Sequence, residues 1–157
     1  MKRVSDKIFW HKFNEFYEQR LPKEASTILE IGVFKGDSIK YWRELYTKAQ
    51  IFGIDINIEK EFLPKDDKIS YYELNQSNIV GYKNFLKNVY TKFDIIIEDG
   101  SHDPLHQKIS LIESIPYMNE NSIYILEDIH TSHKNHPLFK SRLKKMNSNN
   151  RFFSKKI

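Results

Sequence analysis

Two short stretches of the chain hold most of its candidate chemistry. Residues 93–102 read FDIIIEDGSH and residues 122–130 read SIYILEDIH, so in each an apolar run ends in Glu-Asp with a histidine within three positions. Asp99, Glu127 and Asp128 supply three carboxylates there, and His102 and His130 two imidazoles. Carboxylates brought together repel one another unless one is protonated or a cation neutralises them. Oxygen-only ligands suit a hard ion such as Mg²⁺, with water or hydroxyls completing its shell. Separate roles are the alternative: Asp99 facing a small molecule, Glu127 in an ion pair, Asp128 capping the next segment. His130, His133 and His136 could suggest zinc, but their spacing falls in a loop beside Pro137 and no cysteine assists.

A third stretch, residues 27–38, reads TILEIGVFKGDS. Its β-branched opening suits a buried strand and is too short for a helix. Gly32 and Gly36 bracket a turn, and Asp37 and Ser38 carry oxygens expected to cap a helix whose apolar face is Ile39, Trp42, Leu45 and Tyr46. A strand, a glycine turn and a helix N-terminus let a ligand lie against bare backbone. Glu30 is unusual inside such a strand, since a buried carboxylate is costly unless something meets it. The spacing G-x-x-x-G, not G-x-G-x-x-G, argues against a loop that cradles pyrophosphate.

The elements that must position these residues alternate in type. Residues 5–20 place Phe9, Phe13, Phe16 and Tyr17 at helical spacing, which predicts an amphipathic helix with its aromatics in the core. Strands are expected at 27–31, 51–56, 69–74, 93–97 and 122–126. Between them, the run Asn75-Gln76-Ser77-Asn78 is expected to cap a helix with Ile79, Tyr82, Phe85, Leu86 and Val89 on one face, and Asp103-Pro104 opens another whose buried stripe is Leu105, Ile109, Ile112 and Ile115. His106 on that helix is expected to be exposed. Strands separated by helices imply right-handed crossovers and a parallel sheet covered on both faces. No strand is expected after Asp128, so the sheet should stop at its fifth member.

With 157 residues, of which 39% are hydrophobic, one domain is the natural count: an N-terminal helix within 1–22, a core over 27–130 and a tail over 134–157. The absence of cysteine excludes disulfides and thiolate chemistry, and without an apolar run of membrane length a cytoplasmic location with no membrane partner is expected. The net charge of +4 is uneven. Residues 134–157 hold eight Lys or Arg and no acid, leaving 17 basic against 21 acidic residues elsewhere. The body is mildly acidic, which argues against a nucleic-acid partner.

Glu30 through Gly36, with Asp55 closing the next strand, resembles the cofactor site of class I, Rossmann-like methyltransferases. D-G-S-H at 99–102 and E-D-x-H-T-S at 127–132 narrow the resemblance to Mg²⁺-dependent macrolide sugar O-methyltransferases and the related cephalosporin-hydroxylase-like proteins. LNQSN at 74–78 is similar to that group's G-D-Q-S-D loop, with asparagines where acids are usual. The resemblance covers roughly residues 27–133. It implies a Rossmann-like three-layer sandwich with a mainly parallel sheet, shortened after strand five. It implies S-adenosylmethionine against Glu30, Gly32, Gly36, Asp55, Gln76 and Ser77, with Asp55 on the ribose diol, and Mg²⁺ on Asp99, Glu127 and Asp128. His102 or His130 would be the base beside Asp99, and the acceptor a hydroxyl of a sugar or glycosylated small molecule. A homo-oligomer is compatible with it. The rival readings are a nucleic-acid methyltransferase, which would want a basic surface at the strand ends, and a non-catalytic domain that binds cofactor weakly or pairs with a partner.

Overall fold

A computed structural model of the protein describes residues 14–129 and the backbone of 152–154. Its elements are α1 (Asn14–Arg20), β1 (Thr27–Ile31), α2 (Asp37–Leu45), β2 (Gln50–Asp55), β3 (Ile69–Glu73), α3 (Ile79–Asn88), β4 (Phe93–Glu98), α4 (Pro104–Ser114), a 3₁₀ turn (Ile115–Tyr117), β5 (Met118–Leu126) and β6 (Phe152–Ser154). One sheet forms in the order β3-β2-β1-β4-β5-β6, with every neighbouring pair parallel. Chain order reverses between β1 and β4, so the connections leaving these two strands diverge and open a crevice at their carboxyl ends.

The apolar runs become the central strands because both of their faces are covered. Ile28, Ile51, Ile95 and Ile97 lie in one core cluster with Ile39 and Trp42 of α2 and Tyr17 of α1. Leu29, Phe52 and Ile96 lie in another with Tyr82, Phe85 and Leu86 of α3 and Leu111 of α4. Trp42 is fully buried and meets the Tyr17 ring edge-on at a centroid distance of 4.9 Å, which ties α1 to α2.

The structure corrects three sequence expectations. The first concerns the cap of α2, which is Gly36 in the left-handed region (φ 75°) and makes no side-chain cap bond, whereas Asp37 pairs with Lys40 inside the first turn. A Cβ at Gly36 would come within 2.9 Å of both Pro64 Cδ and Leu63 Cδ2, so the glycine serves the turn and its packing.

The second correction concerns α4. Leu105 is 65%, Ile112 49% and Ile115 41% exposed, while the buried residues are Gln107, Ser110, Leu111 and Ser114. Hydrophobic spacing pointed to the wrong face because α4 packs on polar groups. Ser114 Oγ lies 2.8 Å from the Tyr82 hydroxyl, and Ser110 Oγ accepts from Gln76 Nε2 at 3.2 Å.

The third is β6, which pairs Phe152–Ser154 with residues 124–126 where no strand was expected. Three residues are too few for a periodic signal. Residues 119–121, ahead of the strand expected over 122–126, form an irregularity within β5, with Asn121 at φ 64°. The N-terminal part of the helix expected over 5–20 lies outside the described residues.

Candidate functional site

The crevice at the switch point is a cavity of about 470 Å³. One wall is the β1–α2 loop, residues 32–35, with Asp55 at the end of β2. The other is Gln76, residues 99–102 after β4, and Asp128 after β5. The two walls are joined by backbone. Asp99 N–H donates to Ile31 C=O at 2.8 Å, and Gly32 N–H to Ile54 C=O at 2.8 Å. Gly32 has φ 91°, and a Cβ there would sit 2.1 Å from the Asp99 carbonyl oxygen. This glycine is therefore required where two protein loops cross, before any ligand is considered.

Asp55 shapes the same wall. Its Oδ2 accepts from the Phe34 N–H at 2.8 Å and its Oδ1 from the Asn57 N–H at 3.2 Å. Phe34 is held at φ 48° and is 73% exposed at the cavity edge, with Lys35 Nζ 5.3 Å from its ring centroid. Gln76 also lines the cavity, but both ends of its amide are engaged by protein. Nε2 donates to Glu98 Oε1 at 3.0 Å, and Oε1 accepts from the Ser101 N–H at 2.9 Å. Ser77 does not line the cavity; its N–H and hydroxyl both donate to Asn75 Oδ1, at 2.9 and 2.8 Å, in a turn that leads into α3. Glu30 and Gly36 lie outside the lining too, and Glu30 is fully buried on the α2 side of the sheet beside Gly53 and Ile97.

A nitrogen of His102 and one carboxylate oxygen each from Asp99 and Asp128 lie within 4.8 Å of one another. This group differs by one member from the three carboxylates expected. Glu127 is buried, and its Oε1 accepts the Tyr17 hydroxyl. Consecutive residues leaving a strand point to opposite sides. Glu127 follows Ile123 and Ile125 toward α1 and α2, while Asp128 lines the cavity. His102 at φ 57° and Asp128 at φ 47° both adopt the left-handed region, which is uncommon for non-glycine residues and collects at functional sites. Two carboxylates and an imbalance of negative charge suit a divalent cation, and the imidazole adds either a ligand or a base. His130 lies outside the described residues, as do His133 and His136. His106 is half-buried, not exposed, with Nδ1 2.8 Å from Ser101 Oγ, so it braces the loop that carries His102.

Two features escaped the sequence reading. Glu98 is fully buried beneath the cavity, and its acidity is displaced up to about 7. Burial is the largest cause; the Gln76 and Gly100 hydrogen bonds oppose it, and Asp99 and Glu127 add repulsion. The repeated Glu-Asp at the ends of β4 and β5 was the available signal. Tyr17, set among phenylalanines, gave no sign that its hydroxyl meets Glu127.

No family model matches the chain. It is 29% identical over 147 residues to the 8-demethyl-8-(2-methoxy-alpha-L-rhamnosyl)-tetracenomycin-C 3'-O-methyltransferase of Streptomyces olivaceus, covering 84% of this chain and 36% of that protein. It is 30% identical over 141 residues to the mycinamicin VI 2''-O-methyltransferase of Micromonospora griseorubida, covering 80% of this chain and 33% of that one. The solved structure of MycE methyltransferase in complex with Mg, SAH and mycinamycin VI superposes with a TM-score of 0.65 at 26% identity, over 80% of this chain and 33% of that one. The fold is thus a Rossmann-like α/β domain with acids at the ends of its strands. Its relatives in sequence are sugar O-methyltransferases, and the chain spans about a third of the length of the curated relatives it matches.

Proposed function

We propose that this chain binds S-adenosylmethionine in the switch-point cavity and, with Mg²⁺, transfers its methyl group to a hydroxyl of a sugar or glycosylated small molecule. The observation that carries the reading is the convergence of Asp99, His102 and Asp128 on one side of a cavity whose other side is the Gly32 loop and Asp55. Its support from outside the chain is the likeness to O-methyltransferases and to a MycE complex holding Mg and SAH.

Each residue has a role that its position permits. The Gly32–Lys35 backbone and Asp55 would hold the cofactor, the carboxylate facing the ribose diol as acceptor. Asp99 and Asp128 would hold the cation, with Glu127 behind them. When bound, Mg²⁺ supplies charge that steadies a developing alkoxide. His102 would take the acceptor's proton as general base. The cavity walls serve alignment and exclusion of water, on which an in-line displacement depends.

Calorimetric titration with S-adenosylmethionine, followed by a methyl-transfer assay against a panel of sugars and glycosides with and without chelator, tests the reading. Cofactor binding and chelator-sensitive transfer are expected, with Asp128→Asn abolishing transfer while sparing cofactor binding. Binding without transfer to any hydroxyl would favour a non-catalytic domain, and chelator-resistant transfer would remove the metal.

A further inference from the structure

We infer that Tyr17 is a positioning residue for the acid cluster at the strand ends, its hydroxyl orienting Glu127 behind the pair Asp99 and Asp128. The inference rests on the cation reading proposed above and adds a residue from α1, an element to which no part in the chemistry was assigned.

Packing fixes where the hydroxyl lies. Tyr17 is 1% exposed, with its ring edge-on to Trp42 at 4.9 Å and 6.0 Å from Phe16. A phenylalanine would satisfy those contacts equally well, and the N-terminal stretch uses phenylalanine at residues 9, 13 and 16. What tyrosine adds is a single donor, and that donor reaches Glu127 Oε1 from 110 residues away in sequence. The acids around it keep it a donor. Burial first, then the charge of Glu127, Glu30 and Asp99, hold the phenol protonated far above its ordinary range. The hydroxyl therefore cannot add negative charge to a cluster that already has too much.

The other atoms of Glu127 are also tied. Its N–H donates to Glu98 C=O at 2.9 Å, and Gln107 Nε2 of α4 reaches its carbonyl at 3.5 Å. The backbone is thus set from β4 and α4 and the side chain from α1, and the next residue is Asp128. Hydrogen bonds from packed groups to metal-binding side chains typically change metal affinity 10–100-fold, and Tyr17 stands one residue further out, which places its effect at the lower end of that range.

The test is calorimetric titration of the full chain with Mg²⁺ alone, comparing wild type, Tyr17→Phe and Asp128→Asn. Tyr17→Phe should fold and bind Mg²⁺ about 10-fold more weakly, while Asp128→Asn should not bind it. Tyr17→Phe binding as tightly as wild type overturns the role of Tyr17 and leaves the cation site standing. A wild type that does not bind Mg²⁺ removes the cation site and this role with it. If Tyr17→Phe fails to fold, the near-ultraviolet tyrosine absorption of wild type supplies the reading. Mg²⁺ should shift it, chelator should reverse the shift and Asp128→Asn should lack it; an unchanged spectrum overturns the proposal.

Discussion

Glu98 is the residue whose titration should be visible in the stability of the fold. Its folded value of about 7 lies above the ordinary 4.5 because burial disfavours the anion. Between those values the folded chain binds more protons than the unfolded one, so stability is greatest below pH 4.5 as far as this group is concerned. It should fall as pH rises toward 7 and level off above, by an amount on the order of 3 kcal/mol at ~1.4 kcal/mol per pH unit. Glu98→Gln keeps an acceptor for Gln76 Nε2 and should flatten that segment of the profile, measured by urea unfolding of metal-free protein from pH 4.5 to 8. A profile unchanged by the substitution would place the titration elsewhere. Gly32 supplies a second test at this scale. An alanine there must adopt a left-handed conformation costing roughly 1–2 kcal/mol and must also displace the Asp99 carbonyl. Gly32→Ala should lower the melting temperature in the absence of any ligand; a variant as stable as wild type would show that the crossing of the two loops is looser than the geometry indicates.

At the scale of elements, α4 inverts the usual rule that the apolar face of a helix is the buried one. Beside Leu111, its inner side carries serines and a glutamine that answer Tyr82, Gln76 and the Glu127 carbonyl, while Leu105 and Ile112 face outward. Ser114→Ala removes the partner of a buried tyrosine hydroxyl and should cost about 1–3 kcal/mol. Ile112→Lys on the exposed side should change stability by about 0.5 kcal/mol or less. Chemical denaturation of the two variants decides the matter, and the reverse ranking would mean that the outward stripe is covered in solution. Tyr124 belongs to the same layer, with a buried hydroxyl that has no hydrogen-bond partner among the described residues.

For the whole molecule, the order β3-β2-β1-β4-β5-β6 puts β6 at one edge, shielding β5. An uncovered strand edge is a template for pairing with other chains. A chain ending at Arg151 should therefore retain its cavity yet self-associate, read as a concentration-dependent rise in mass by light scattering. A monodisperse product with unchanged mass would show that β6 does not protect the sheet. Among the described residues no helix is long and apolar enough to cross a membrane.

What the sequence determined by itself was local and periodic. The strands expected at 27–31 and 93–97 were legible because burial on both faces leaves a continuous apolar run, and the entrance to α4 because Asp103-Pro104 is a cap that needs no tertiary partner. The acids at the strand ends were legible because polar residues interrupt those runs abruptly. Tertiary structure alone decided which way each acid turned. Glu127 and Asp128 are adjacent in sequence, yet one meets Tyr17 in the core and the other joins Asp99 and His102 at the cavity. Alternation sends them apart, but only the packing of α1 on Trp42 puts a hydroxyl where Glu127 arrives. Likewise Gly32 reads as a turn residue in sequence, and only the crossing of two loops from distant strands shows why no side chain fits there.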